Sequence, residues 1–292
     1  MKKIVNCFSN NCLGGLGDFL RGSIYMWDLC NKNNIEFDID FSKHDISKFL
    51  KTRSQYQFEV SDIIDTSQTY NKTPNVQTLY NEYDNNIKEA IRNIKNNETK
   101  FIYTNYSNLM KLEEKYIIAE INSKTFLQRK CKNWFENKII FHDYIVGLAS
   151  KKIDNLGFNE KEYDIIHFRT GDEKAFFKKD LFESHVDFEK CYEKCKKKVT
   201  EGFSSQILVL SDSNELKDFI KNKAEKEKLP IRIMDTKSLH TQKKSNKKMK
   251  SEFPVDDSSL IDVCIDSYLI TKARSADCYS VYFWGSGFIT WL

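Results

Sequence analysis

Residues 163–173, YDIIHFRTGDE, pass from an apolar run to a charged cluster and a glycine within one short stretch. Ile165, Ile166 and Phe168 form the kind of run found in a parallel strand covered on both faces, where strict alternation is lost. His167, Arg169, Asp172 and Glu173 then arrive together. In open α/β sheets ligands sit beyond the carboxyl ends of the strands, so polar residues massed at this point mark a candidate site. Arg169 is the leading candidate. Its guanidinium is always charged, and its planar fork of donors matches phosphate oxygens in a way that an ammonium does not. Gly171 lets the backbone turn close to a ligand. On residue types alone an equally open reading pairs Arg169 with Asp172 or Glu173 at an ordinary strand end.

On either side of this stretch the chain alternates strand and helix. Upstream, Lys3 to Phe8 reads as a strand, followed by the loop NNCLGGLGD and a helix through about Asn31, whose apolar face is Leu20, Ile24 and Trp27. Ile35 to Phe41 alternates and reads as the next strand. The polar, asparagine-rich sequence that follows predicts a helix over Ile87 to Ile94, a strand over Lys100 to Tyr106, and helix onward to about Ser150. Downstream, a helix is expected from Asp187 to Thr200, and a strand from Gln206 to Leu210 ends in Ser211, Asp212 and Ser213. A helix from Asn214, a strand over Ile231 to Met234 and a helix over Asp256 to Arg274 come next. Ile261, Cys264, Ile265 and Tyr268 form the apolar stripe of that last helix, so Asp262 and Asp266 share one face. That face is either solvated or met by hydrogen-bond donors. A final strand, Cys278 to Trp284, breaks at Gly285-Ser286-Gly287 before Phe288 opens a helix, an arrangement that offers backbone N–H groups to an anion.

This alternation in 292 residues predicts an α/β protein with two domains, residues 1–150 and 151–292. A composition 40% hydrophobic and 30% charged is that of a globular protein, and no run is long enough to span a bilayer. The N-terminus lacks the apolar core of a secretory signal, so a cytoplasmic protein is expected. The cysteines form no CxxC pair and need no bridges in that setting. Cys191 and Cys195 fall on one helical stripe and read as core. A net charge of +4 is modest for this size and argues for no nucleic-acid partner, and the basic loop Thr236 to Lys250 reads as a solvated face.

The glycine loop, the HFRTGD turn and the terminal GSGF turn occur in an order that resembles a known group. It is the GT-B fucosyltransferase superfamily of α1,6- and α1,2-fucosyltransferases, the nodulation fucosyltransferase and protein O-fucosyltransferases. Gly14-Gly15-Leu16-Gly17-Asp18 is similar to the family's N-terminal glycine loop, and Arg21 falls where many members carry a basic residue. His167 to Asp172 resembles the H-x-R-x-G-D signature, whose arginine is held to bind the β-phosphate of GDP-fucose. Asp266 to Phe288 resembles a block in which a leading aspartate reads guanine and the terminal backbone holds phosphate. The resemblance implies two Rossmann-like domains facing across a cleft, an acceptor-side domain 1–150 and a nucleotide-sugar domain 151–292. It implies an inverting, metal-independent transferase moving fucose from GDP-fucose, or a sugar from another nucleotide, to a glycan or other hydroxyl acceptor. No cofactor and no metal is expected.

Under that reading the site comprises Arg169, with Asp18, Asp172 or Glu173 as general base, and Gly15, Gly17, Arg21, His167, Asp212, Asp266, Ser286, Gly287 and Phe288 around the nucleotide. A side chain of Arg169 locked away in an internal ion pair, or turned from the gap between the halves, would overturn it. Arg169→Ala is expected to abolish transfer and leave the fold intact. Three rivals stand beside it. Gly15-Leu16-Gly17 with Asp38 about 20 residues on suggests an NAD(P)-dependent oxidoreductase, although Leu20 occupies the third glycine position. Asp38-Ile39-Asp40 could serve as a D-x-D metal clamp. Lys243 to Lys250 could bind RNA without catalysis, but no aromatic residues interleave with those lysines.

Overall fold

The computed structural model describes residues 1–12, 14–67, 85–105, 119–121, 134–170, 187–236 and 257–280. The chain opens with β1 (Lys3–Ser9), α1 (Leu16–Lys32) and β2 (Glu36–Lys43), then β3 (Leu50–Thr52) and β4 (Ile64–Asp65). A helix over residues 85–92, α2, leads to β5 (Thr99–Tyr103). β6 (Ala119–Ile121), a short helix α3 over residues 134–138, β7 (Ile139–Phe141) and α4 (Asp143–Asn155) follow. The second half runs β8 (Asp164–Arg169), α5 (Phe188–Thr200), β9 (Ile207–Ser211), α6 (Asn214–Glu227), β10 (Ile231–Ile233), α7 (Asp257–Lys272) and β11 (Ser275–Ser280).

These elements build two parallel sheets. The first has the order β2-β1-β5-β4, and the second β10-β9-β8-β11 with β6 added antiparallel at its edge. A small antiparallel pair, β3-β7, forms a separate ladder, with β3 against β2. The expected α/β class holds. Details differ from the sequence reading: the polar stretch after β2, read without strands, contributes β3 and β4. The stretch expected to be helical to Ser150 contributes the short strands β6 and β7, and β6 crosses from the first half to pair Ile121 with Cys278. β11 also begins earlier than predicted, at Ser275, because Asp164 accepts bonds from Arg274 Nε and Nη2 and from Ser275 Oγ, which align it with β8.

Burial explains why these stretches become elements. In β8, Ile165 joins the large core cluster with Leu208 and Leu210, while Ile166 and Phe168 face Tyr192, Leu216 and Ile220 of α5 and α6. The second sheet is therefore covered on both faces, as its unbroken apolar strands require. The larger cluster runs without interruption from Ile4, Phe8 and Phe19 through Ile145 and Ile153 of α4 to Leu260 and Leu269 of α7. Residue 150 lies inside α4, which packs on α7. Ser213 Oγ accepts from the Leu216 N–H and Asp187 Oδ1 from the Lys190 N–H, capping α6 and α5.

The first sheet is tied to α1 at its switch point. Asn6 Oδ1 accepts from the Thr104 N–H at 3.0 Å and its amide donates to Ser23 Oγ at 2.7 Å, joining β1, the end of β5 and α1. Gly22 lets the helix lie against that strand end, since a Cβ there would fall 2.1 Å from the Thr104 carbonyl oxygen. Gly22→Ala is accordingly expected to lower stability by several kcal/mol, roughly the upper range for overpacking. Urea unfolding measures it, and an unchanged midpoint would show that the helix does not rest on β5.

Candidate active site at the carboxyl edge of the second sheet

Strand order places the switch point of the second sheet between β8 and β11, because β9 and β10 extend to one side and β11 lies on the other. Crevices at such points are the binding sites of open α/β sheets. Arg169 is the last residue of β8, and Asp212 follows β9 directly. Arg169 Nη1 donates to Asp212 Oδ2 at 2.7 Å, and Asp212 Oδ1 accepts from both the N–H and the hydroxyl of Thr170, each at 2.8 Å. Burial alone would raise the Asp212 carboxyl, but the guanidinium and the Thr170 donors hold it below the usual carboxylate range.

Among the described residues Arg169 pairs with Asp212, on the neighbouring strand. Asp172 and Glu173, the other partners considered, lie outside the described residues, as does Gly171. The ion pair is internal on one side only: the Asp212 side chain is 1% exposed and that of Arg169 21%. Asp212 therefore holds both the guanidinium and the strand end. The pair cancels part of the arginine's field while it fixes the direction of the fork.

His167 sits on the same face of β8, two residues before Arg169, with Cys278 Sγ 3.9 Å from its Nδ1. Burial drives its imidazole down to about 4, against the pull of Asp212 and with the help of Arg169. The ring is neutral at physiological pH and offers hydrogen bonds but no charge.

Two strands away, past the end of β10, Thr236 donates its hydroxyl to Asp266 Oδ1 of α7 at 2.7 Å. Of the two alternatives for this face, Asp266 is met by a donor, Thr236, and Lys217 of α6 in turn donates its Nζ to the Thr236 carbonyl at 2.6 Å. Sequence reading missed both. A signal existed for Lys217: it falls on the apolar stripe of α6 with Ile220 and Ala224, where a lysine is out of place.

The glycine loop of the first half closes on itself. Asp18 Oδ2 accepts from the Gly15 N–H at 3.0 Å, and Asp18 Oδ1 pairs with Arg21 Nη2 at 2.6 Å, capping α1. Gly14, at φ +89°, makes the turn that an L side chain would strain. Arg21 is buried and Asp18 is held by two donors, so the structure uses both to build the loop; Gly15 is the N-cap and Gly17 lies in the first turn. Ser286, Gly287 and Phe288 lie outside the described residues, as does the lysine loop 243–250.

The rival motifs take structural positions. Asp38 is buried in the middle of β2, accepting from the Tyr56 hydroxyl at 2.6 Å and pairing with Lys138 at 3.2 Å. It does not stand at a strand end beside the glycine loop. Asp40 accepts from the Ser42 N–H and hydroxyl on the same covered strand. Among the described residues no group of three or more His, Cys, Asp or Glu side chains is placed to hold a metal ion. All described cysteines are free thiols, and no described helix is long and apolar enough to cross a membrane.

No family model and no curated protein matches the chain. Among solved structures, NodZ alpha-1,6-fucosyltransferase soaked with GDP-fucose is similar over 94% of this chain and 87% of that chain, at 11% identity and a TM-score of 0.48. Fucosyltransferase NodZ from Bradyrhizobium is similar over 94% and 87%, at 9% identity and a TM-score of 0.47. POFUT1 in complex with GDP is similar over 94% and 97%, at 10% identity and a TM-score of 0.43.

Proposed function

We propose that this protein is a nucleotide-sugar-dependent glycosyltransferase, an inverting and metal-independent fucosyltransferase that uses GDP-fucose. The carrying observation is the part-exposed guanidinium of Arg169, aimed by buried Asp212 at the switch point of the second sheet. Residues 151–292 would hold the nucleotide and residues 1–150 the acceptor hydroxyl.

The site has the right span. Thr236, just past β10, holds Asp266 of α7, and Arg169 ends β8, two strand spacings or about 10 Å across the sheet from β10. A nucleoside diphosphate laid along this edge puts its base at Asp266 and its β-phosphate at Arg169. In the reaction the bond from the sugar anomeric carbon to the β-phosphate oxygen breaks. The acceptor oxygen bonds that carbon from the opposite face and gives up its proton. Negative charge grows on the departing GDP, and a preset arginine stabilises it more in the transition state than in the ground state. Asp172 and Glu173 are the better candidates for the base, because Asp18 is already engaged by Gly15 and Arg21.

A thermal-shift comparison of GDP, UDP, dTDP and ADP tests the donor, since a ligand that binds only the native state raises its melting temperature. GDP is expected to give the largest shift. A larger shift with UDP or dTDP would keep the transferase and change the sugar, and no shift with any of them would end this reading. Transfer that persists in EDTA is expected as well.

A further inference from the structure

We infer that Lys217 is a positioning residue that holds Thr236 in place and, through its hydroxyl, orients the Asp266 carboxylate toward the base of the donor nucleotide; this rests on the transferase reading above. α6 carries several lysines, and Lys217 is set among its core-facing residues, 5% exposed. A buried ammonium is costly unless something receives its protons. Its Nζ donates to the Thr236 carbonyl oxygen, and the hydroxyl of the same threonine donates to Asp266 Oδ1. One residue thus holds a cation by its backbone and a carboxylate by its side chain. With Oδ1 so engaged, Asp266 Oδ2 has no hydrogen-bond donor among the described residues.

The charges around the cluster come from four elements. Asp262 and Asp266 belong to α7, Lys217 and Asp218 to α6, Asp235 to the turn after β10, and Lys152, paired with Asp235, to α4. Burial lifts the Asp266 carboxyl to about 7 and Asp262 adds to the rise, while Thr236, Lys217 and Lys152 pull it down. Of the groups that pull it down, the Thr236 hydroxyl has the largest effect and Lys217 the next. Guanine presents a ring N–H beside an exocyclic amino group, and only an ionised carboxylate accepts from both. Adenine presents an acceptor in place of that ring N–H.

Calorimetric titration of the full chain with GDP across a pH series tests this. Wild-type affinity is expected to rise with pH through a midpoint near 7. Lys217→Met should move the midpoint to higher pH; a rise of about one pH unit lowers affinity at pH 7 about 5-fold, as the ionised fraction falls from roughly a half to roughly a tenth. Lys217→Arg should retain the wild-type profile. If Lys217→Met does not fold, Thr236→Val carries the test. It leaves the carbonyl for Lys217 and removes the hydroxyl from Asp266, so it should also raise the midpoint. Wild-type binding of GDP with unmoved midpoints in the variants overturns the role of Lys217 alone. Absence of wild-type GDP binding at every pH overturns the transferase reading and this inference together.

Discussion

Replacing Arg169 with alanine is expected to cut sugar transfer by about 10²- to 10³-fold, the usual loss when one preset donor is removed from a developing oxyanion. The structure adds a second effect that the sequence reading did not foresee. Asp212 is buried, and without the guanidinium its Oδ2 loses its charged partner. Stranding one member of a buried pair costs about 3–5 kcal/mol, and the part-exposure of Arg169 places the loss below that range. The fold is therefore weakened. Arg169→Ala combined with Asp212→Asn separates the two effects. The double variant should regain most of the melting temperature, since the amide oxygen can still accept from Thr170, and should remain as inactive as the single one. Arg169→Lys should keep the charge, lose the fork, and retain only part of the activity. Normal turnover in Arg169→Ala would remove the proposed mechanism.

Asp266→Asn should improve stability while it damages binding. The folded state raises the Asp266 carboxyl from 3.8 to about 7, mainly through burial. A group with a raised pKa contributes stability that is fully present below its unfolded value. That contribution is lost as pH rises through the folded value, because the unfolded chain gives up the proton first. The native apo-protein should weaken between about pH 4 and 7 on this account, by on the order of a few kcal/mol. The asparagine variant lacks this slope and should be more stable than wild type above neutrality. Its GDP affinity should fall by about 10²-fold, because one acceptor becomes a donor facing the guanine N–H groups. Urea unfolding at acid and alkaline pH, with GDP titration, reads both. Equal pH slopes in the two proteins would show that Asp266 does not titrate in the interior.

How much was legible follows from the range of the forces involved. β1, α1, β2, β8, α5, β9, α6 and α7 were readable because each needs a buried face, and that need is written into neighbouring residues as apolar periodicity. β6 and β7 were not. Three residues are too few to show a period, and β6 owes its form to β11 far along the chain. The same division runs through the site. Arg169, at the end of an apolar strand, stood out locally. Its pairing with Asp212 did not, since residues 169 and 212 meet only once β8 and β9 lie side by side.

The sequence by itself determined the α/β alternation, the glycine loop and the charged strand end, because these depend on backbone freedom and side-chain type within a few residues. Tertiary structure alone decided that Asp38 lies under Tyr56 and that Lys217 enters the core beside Asp266. Which charge is buried, and against which partner, depends on how distant strands and helices are brought together, and no local pattern encodes that.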